Sequence, residues 1–549
     1  MHLKIGKLTA LVAALAVAIG IASPASAQIY TGRVDVTLED STGGRLPGVN
    51  IDITGPVNQS QVSDAQGQAH FLNLPVGTYA VKATLAGFNP YSNEKVQVVS
   101  GASVPLSVKL AVAGTAETVN VSGAAPTIDP KKETTTTNVT LEELQGIPSA
   151  RDPWVVMQTV PTIYVDRVNV GGSESGQQSN YLGKGSVGAE NTWNLDGVPI
   201  TDMGATGSTP TYYNFDMFQE MAVTTGGADA SVATPGVQLN MVLKKGSNTP
   251  HGAASYYYEG PNLQGNNMDS TLAKTIGGSN PECISSGYTK GCGNRTDSYL
   301  DRAFDVGGPI IKDKVWAWGS IGQTDVTNIV LTGAKDATTL KNYSFKADAQ
   351  VASNVRANFT FYEGNKLKYG RGASATHPDE TTWNQSGPTK MYKGEMNFVL
   401  GQNLFVAGRY AQMSGGFQLD PKGGMTTKSY VDDDGVWHGS YQFYGTDRPQ
   451  YYGGMDGSYF VKNHEVKFGF SYRKTPVSSQ SIWPGDRIVT IYDGYPSMQA
   501  QVTQDLISGT EGKYTSLFAT DTISMNRLTV VLGLRYDRQT SSCLLYTSP

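Results

Sequence analysis

Charge is scarce in this sequence. Only 16% of its 549 residues are Asp, Glu, Lys or Arg, against about 25% in ordinary soluble domains. That shortage argues against a coiled coil, a charge-rich disordered chain and most helical cytosolic enzymes. The net charge is −5, so nothing points to nucleic acid as a partner. Past the N-terminus no run approaches the ~20 apolar residues of a helical membrane span. A polytopic helical membrane protein is excluded; a membrane β-barrel is not, because barrel strands are apolar on one face only. Walker A, dinucleotide and G-x-S-x-G nucleophile motifs are missing as well, and no cofactor is implied.

Cysteine is nearly absent. Cys283 and Cys292 lie close together in a polar, Gly-rich stretch and could staple one loop in an oxidising compartment; Cys543 has no obvious partner. A metal site there finds no neighbouring His or further Cys.

Glycine, at 63 residues, and tyrosine, at 29 against 16 Phe and 7 Trp, are abundant. They favour an all-β chain rich in turns and interfacial aromatics. Residues 1–27 read as a cleavable secretory signal: Lys4 and Lys7, an apolar stretch over residues 8–22, then Ala25-Ser26-Ala27 before Gln28.

Residues 28–113 read as a small β-sandwich. Residues 32–38 alternate as a strand, and Gly67 and Gly77 suit tight turns, with Tyr79 and Phe88 on the inner face. The ordered segments Leu46-Pro47-Gly48, Asp64-Ala65-Gln66-Gly67, Leu74-Pro75-Val76-Gly77-Thr78-Tyr79 and Ala86-Gly87-Phe88 resemble the carboxypeptidase-regulatory-like domain, which implies a Greek-key sandwich.

A small, polar linker follows over residues 114–140. At its end Thr140 is placed to cap a short helix carrying Glu142 and Glu143 in its first turn. Over residues 141–250 the chain is Gly-rich and β-like. Asn194-Leu195-Asp196-Gly197-Val198-Pro199, then Phe215-Asp216-Met217-Phe218, then Gly236-Val237-Gln238-Leu239-Asn240 and Lys244-Lys245-Gly246 form an ordered series. It resembles the plug domain of TonB-dependent outer-membrane receptors, nearest the Oar-like branch, which carries the regulatory-like sandwich in front of the plug. On that resemblance Asp196, Gly197, Asn240, Lys244 and Gly246 are plug-motif residues. Val237 departs from the pattern, where many members have a second Gly. From the residues alone, Asp196-Gly197 reads as a structural turn and Lys244-Lys245 as a solvated strand end.

Residues 251–538 change to long alternating strands, such as Tyr343, Phe345, Ala347, Ala349 and Val351 with Ser344, Lys346, Asp348 and Gln350 between them. One greasy face and one polar face suit lipid outside and a wet lumen. Short turns at Lys312-Asp313-Lys314, Ser353-Asn354 and Met525-Asn526 alternate with polar stretches over residues 260–298, 364–388 and 415–435, expected as outer loops. Trp316, Trp318 and Tyr256, Tyr257 and Tyr258 are expected in an interfacial aromatic girdle. Roughly a dozen candidate strands fall short of the ~22 in plugged transporters, so the barrel is expected to be only its N-terminal part. Residues 539–549 depart from the strand pattern and are expected to be an aberrant tail.

The resemblance implies an outer-membrane receptor that takes up an unidentified small ligand, peptide or saccharide and is energised by TonB and its inner-membrane complex. The resemblance implies no catalysis. Its periplasmic contact would be a TonB box at Glu117, Thr118, Val119, Asn120 and Val121, unless that stretch is the last sandwich strand or the first plug strand. The competing reading is a secreted or surface β-rich carbohydrate- or peptide-binding or adhesion protein. Two metal readings are weak. His377 and Glu380 have carboxypeptidase-like zinc spacing, with His464 as a third ligand, but sit in a loop with no rigid scaffold. Asp432, Asp433 and Asp434 could take Ca²⁺ but read better as a solvated loop tip.

Overall fold

The protein is described from a computed structural model, which covers residues 31–113, 119–121, 134–146, 151–166, 176–227, 230–276, 280–401, 403–492, 495–502, 506–525 and 528–547. The signal sequence, Glu117, Thr118 and most of the linker lie outside the described residues.

Two sheets make the N-terminal sandwich. One orders the strands Gln68–Leu74, Gly32–Asp40 and Ser103–Leu110; the other orders Gln59–Val62, Asn50–Thr54, Gly77–Thr84, Tyr91–Val98 and Val119–Val121. Alternation decides which residues go inside: Val34, Val36 and Leu38 face Ile51, Ile53, Tyr79, Val81 and Val96 across the interior. The Tyr79 hydroxyl donates to the Pro75 carbonyl at 2.8 Å, so the buried ring keeps its polar end satisfied. Gly67 has φ +67° and a Cβ there would sit 2.7 Å from the Leu38 carbonyl oxygen, which fixes glycine at that turn.

A helix, Leu141–Gly146, follows the linker. Thr140 and Glu143 cap it reciprocally: the Thr140 N–H donates to Oε2 of Glu143 at 2.7 Å, and the Glu143 N–H reaches the Thr140 hydroxyl at 3.5 Å. The central sheet then orders Val198–Pro199, Thr192–Leu195, Gln238–Leu243, Phe218–Gly226 and Thr135–Thr140. Its core is Trp154, Met157, Trp193, Leu195, Phe218, Met221, Leu239 and Met241, and it continues into Trp318, Tyr362, Met413 and Tyr452 of the surrounding wall.

That wall is a 13-stranded antiparallel sheet running from His251–Glu259 at one edge to Leu528–Thr547 at the other. Its alternation gives the sheet two unlike faces. Tyr343, Phe345, Phe359, Met396, Leu517 and Leu534 stand exposed on the convex face, whereas Ser344, Lys346, Asn358 and Thr360 are buried on the concave face against the central sheet. No described helix is long and apolar enough to cross a membrane.

Four expectations need correction. Trp316 and Trp318 do not join an outer girdle: both point inward, and their indole N–H groups donate to Asn248 and Asp305. Their outward neighbours Val315, Ala317 and Gly319 are small or aliphatic, so both faces there look apolar in sequence and the parity was ambiguous. Many wall strands run 15–20 residues, well past the ~9–11 that cross a bilayer. The stretches expected as loops over residues 364–388 and 415–435 are therefore partly strand. Residues 539–547 extend the last strand past the break expected at 538, their backbone paired with the partner strand from Tyr514 to Leu506. Lys244 is not a solvated end, as described below.

Asp35 illustrates how charge is handled in the sandwich. Burial opposes its ionisation, but Arg33, with His70 and Ser103, holds the carboxyl well below the usual range. The unfolded chain takes up that proton near pH 4 while the folded domain refuses it, so the stabilisation is complete above about pH 4 and is lost as pH falls further. Hydrogen exchange on the full-length protein should show protection of Gly32–Asp40 level from pH 6 to about pH 4.5 and falling as the pH is lowered further toward about 2.5, and Asp35→Asn should flatten that fall.

Candidate functional site

The candidate site is the seam where the central sheet meets the polar wall. Asp196 and Gly197, with φ +48° and +73°, form the two-residue turn between Thr192–Leu195 and Val198–Pro199. Positive φ at both positions is the geometry Asp-Gly favours. The turn carries a fully buried carboxylate into the wall. Lys346 reaches it at 2.7 Å, the Leu243 N–H donates to its other oxygen at 3.0 Å, and Lys393 donates to the Asp196 carbonyl at 2.8 Å. The Gly197 N–H donates to Asn240 at 3.3 Å, which joins two of the motif residues directly.

Lys244 is 7% exposed and pairs with Asp305 at 3.0 Å, the carboxylate that also accepts from Trp318. Gly246 passes so close to the wall that a Cβ would meet backbone atoms of Ala317 at 2.5 and 2.8 Å. The structure therefore brings Asp196, Gly197 and Asn240 to one corner and sets Lys244 and Gly246 along the exit toward the first wall strand.

Sequence reading missed the other pins. Arg151 bridges Asp301 at 2.7 Å and Asp216 at 2.5 Å while lying 3.9 Å over the Tyr257 ring. Arg448 bonds Asp202 at 2.6 Å, and Arg473 donates to the Thr201 carbonyl at 2.5 Å. Each pair joins residues far apart in sequence, so no local spacing signals it. A separate ladder of charge lines the wall itself: Lys393, Glu395, Arg409 and Asp456 are linked at 3.0, 3.0 and 2.6 Å, all buried.

At the end carrying the long connections, aromatic rings from three segments converge. His377 stacks on Trp437 at 5.7 Å, Trp437 stacks on Trp483 at 5.5 Å, and Tyr441 meets all three edge-on and Trp383 at 4.9 Å. Burial pushes the His377 imidazole down, so it is a neutral ring at pH 7. Sequence analysis did not identify this group. His377 lies at the end of the wall with the long connections, while His464 sits by a short turn at the opposite end, paired with Asp521 at 2.8 Å. The three-ligand zinc reading is overturned by that separation. Asp432 caps its own turn, accepting from Asp434 and Val436, and meets His438 at 2.7 Å. Among the described residues no cluster of His, Cys, Asp or Glu could hold a metal.

Cys283 and Cys292 are joined as a disulfide, Cα atoms 4.8 Å apart, beside the short helix Pro281–Ser285. Of the five candidate box residues, Glu117 and Thr118 lie outside the described residues; Val119–Val121 pairs in parallel with Tyr91, Ser92 and Asn93 at the sandwich edge.

Buried ion pairs at the seam are held tightly because removing one partner strands the other. Asp196→Ala should cost about 3–5 kcal/mol of central-sheet stability, read as lost exchange protection in Gln238–Leu243; Asp196→Asn, which keeps an acceptor for Leu243, should cost less.

Comparison with known proteins agrees with this architecture. Residues 33–111 match the carboxypeptidase regulatory-like domain family. The chain is 27% identical over 281 residues to the TonB-dependent transporter Oar of Myxococcus xanthus, a match covering 50% of this chain and 25% of that protein. The outer-membrane transporter YddB of Escherichia coli superposes with TM-score 0.53 at 12% identity, over 75% of this chain and 57% of that one. FpvA of Pseudomonas aeruginosa, in its complex with a heterologous pyoverdine, gives 0.51 at 12% identity over 76% and 54%. The chain thus spans a quarter of the curated relative and a little over half of each solved structure. It is a homologue of the TonB-dependent transporter Oar over half its length, with an N-terminal carboxypeptidase regulatory-like domain ahead of the plug-in-barrel fold of the TonB-dependent receptors.

Proposed function

We propose that this chain is a receptor of the bacterial outer membrane that takes up an unidentified ligand under the pull of TonB, exported by the signal over residues 1–27 and holding its sandwich in the periplasm. The observation that carries the reading is the central sheet pinned by ion pairs inside a sheet whose outer face is apolar. A soluble binding or adhesion protein has no use for a continuous exposed belt of this kind, which exceeds the scattered apolar residues of an ordinary surface. Short turns then lie on the periplasmic side and the long connections outside.

In this reading the ligand meets the outer loops, and the ring cluster of His377, Trp437, Tyr441 and Trp483 offers it stacking surface. The chemistry is reversible binding followed by displacement of the plug, without covalent steps or a cofactor. TonB would pair with Glu117, Thr118, Val119, Asn120 and Val121 by strand addition, exchanging the parallel contact to Tyr91, Ser92 and Asn93 for one of its own.

Capture of the TonB C-terminal domain by the immobilised full-length receptor tests this. Val119→Pro, which cannot donate its ladder bond, should lower capture at least fivefold, while Ser122→Ala should not. Equal capture by both variants would sink the box assignment. Recovery of the protein in the soluble periplasmic fraction would sink the membrane reading.

A further inference from the structure

We infer that the sandwich domain is a second stopper: it seals the periplasmic mouth of the lumen and is latched to the plug strand that the linker enters, so that one pull releases both. The inference rests on the receptor reading above but is tested without TonB or ligand.

Two contacts carry it. The first is between the sandwich and the wall beside the short turns. Leu72 packs on Phe405, Ala407 and Phe460, residues on the lumen face of two adjacent wall strands. His70 stacks on Phe460 with centroids 4.5 Å apart, and the Arg33 guanidinium lies 5.0 Å over the same ring. Arg33 also donates to Glu465 at 2.6 Å, and Asp35 holds the Arg33 and His70 side chains in place at 3.1 and 2.8 Å. A buried arginine bound to a carboxylate and stacked on an aromatic is a specific joint rather than a casual surface touch. Around Arg33, Leu72 and Phe405 the space left is about 90 Å³; a wider cleft of about 490 Å³ lies beside it, between the strand Gln59–Val62 and the wall at Asn354 and Asn397.

The second contact is between the sandwich and the plug. Glu220, 2% exposed, accepts from the Ser100 N–H at 2.9 Å and from the Asn138 side chain at 2.7 Å. Asn138 also donates to the Ser100 carbonyl at 3.3 Å, and Asn240 to the Ser100 hydroxyl at 3.1 Å. Ser100 lies in the turn between two sandwich strands, whereas Asn138 lies in Thr135–Thr140.

Topology makes this a latch. Thr135–Thr140 is the outermost strand of the plug sheet, paired on one side with Phe218–Gly226, and the chain enters it directly from the linker. Force on the linker loads the Thr135 end first and opens the ladder pair by pair. The fourth residue to leave is Asn138, and with it go one hydrogen bond to the Ser100 carbonyl and one to Glu220. The polar atoms that remain, Glu220 above all, are then left partly desolvated against the sandwich, which favours its departure.

The test is thiol protection in the full-length receptor in lipid nanodiscs, with Cys543→Ser as background. Ala407→Cys lies under Leu72 and is the reporter; a maleimide carrying a 2-kDa polyethylene glycol is the probe. Labelling should be slow in the background, at least tenfold faster with Arg33→Glu, and at least tenfold faster with Val139→Pro, which breaks the Thr135–Thr140 ladder. Asn138→Ala, which leaves the ladder intact, should give a smaller rise and guards against misfolding of the proline variant; heat-modifiable migration confirms the barrel in each. Fast labelling in the background would show an unsealed mouth and overturn the proposal. A rise with Arg33→Glu but none with Val139→Pro or Asn138→Ala would overturn the latch. Either failure leaves TonB capture untouched, so the two readings fail separately.

Discussion

On the receptor reading the structure depends on one constraint: where a sheet has lipid on one face, its buried polar side chains gather on the other. Period-two alternation sends Tyr343 and Phe345 outward and Ser344 and Lys346 inward. The concave face therefore fills with lysines, arginines and carboxylates, which need partners once water is displaced. The plug supplies them. Asp196 meets Lys346, Lys244 meets Asp305, and Arg151 meets Asp301. An ion-paired seam is specific in register yet separable, because each pair can be rehydrated when the plug moves; an apolar seam of the same area would hold the plug without that exchange.

The sandwich joins the same logic from below. Its own core is apolar and closed, and it meets the rest of the molecule through rim residues that include Arg33, His70, Leu72, Val76 and Ser100. Those groups meet Phe405, Phe460 and the Glu465 carboxylate of the wall, and Val242 and the Glu220 carboxylate of the central sheet. On the proposal above, a domain that in sequence looks like a detached appendage serves as the floor of the lumen, and the strand that ties it to the central sheet is the one the linker enters.

Local features were legible in sequence. Turn glycines and alternating valines located the sandwich, Asp196-Gly197 marked a tight turn of the central sheet, and strand alternation gave the two-faced wall. These depend on neighbours a few residues apart. What was not legible depends on distance. Lys244 looks like a solvated end until Asp305, 61 residues on, arrives beside it. The ring cluster needs His377, Trp437, Tyr441 and Trp483 from separate loops, and Arg33 finds Glu465 across 432 positions. Trp316 and Trp318 failed for a different reason: with small residues between them, parity alone could not say which face was greasy, and the indole N–H groups settled it by seeking acceptors.

The central claim is that the convex face meets lipid. Single cysteines at Phe345 and Ser344, adjacent on one strand, would carry an environment-sensitive fluorophore in the Cys543→Ser full-length protein, reconstituted with and without brominated lipid. The account expects blue-shifted emission, strongly quenched by brominated lipid, at 345 and unquenched emission at 344. Equal, water-like emission at both positions would contradict it.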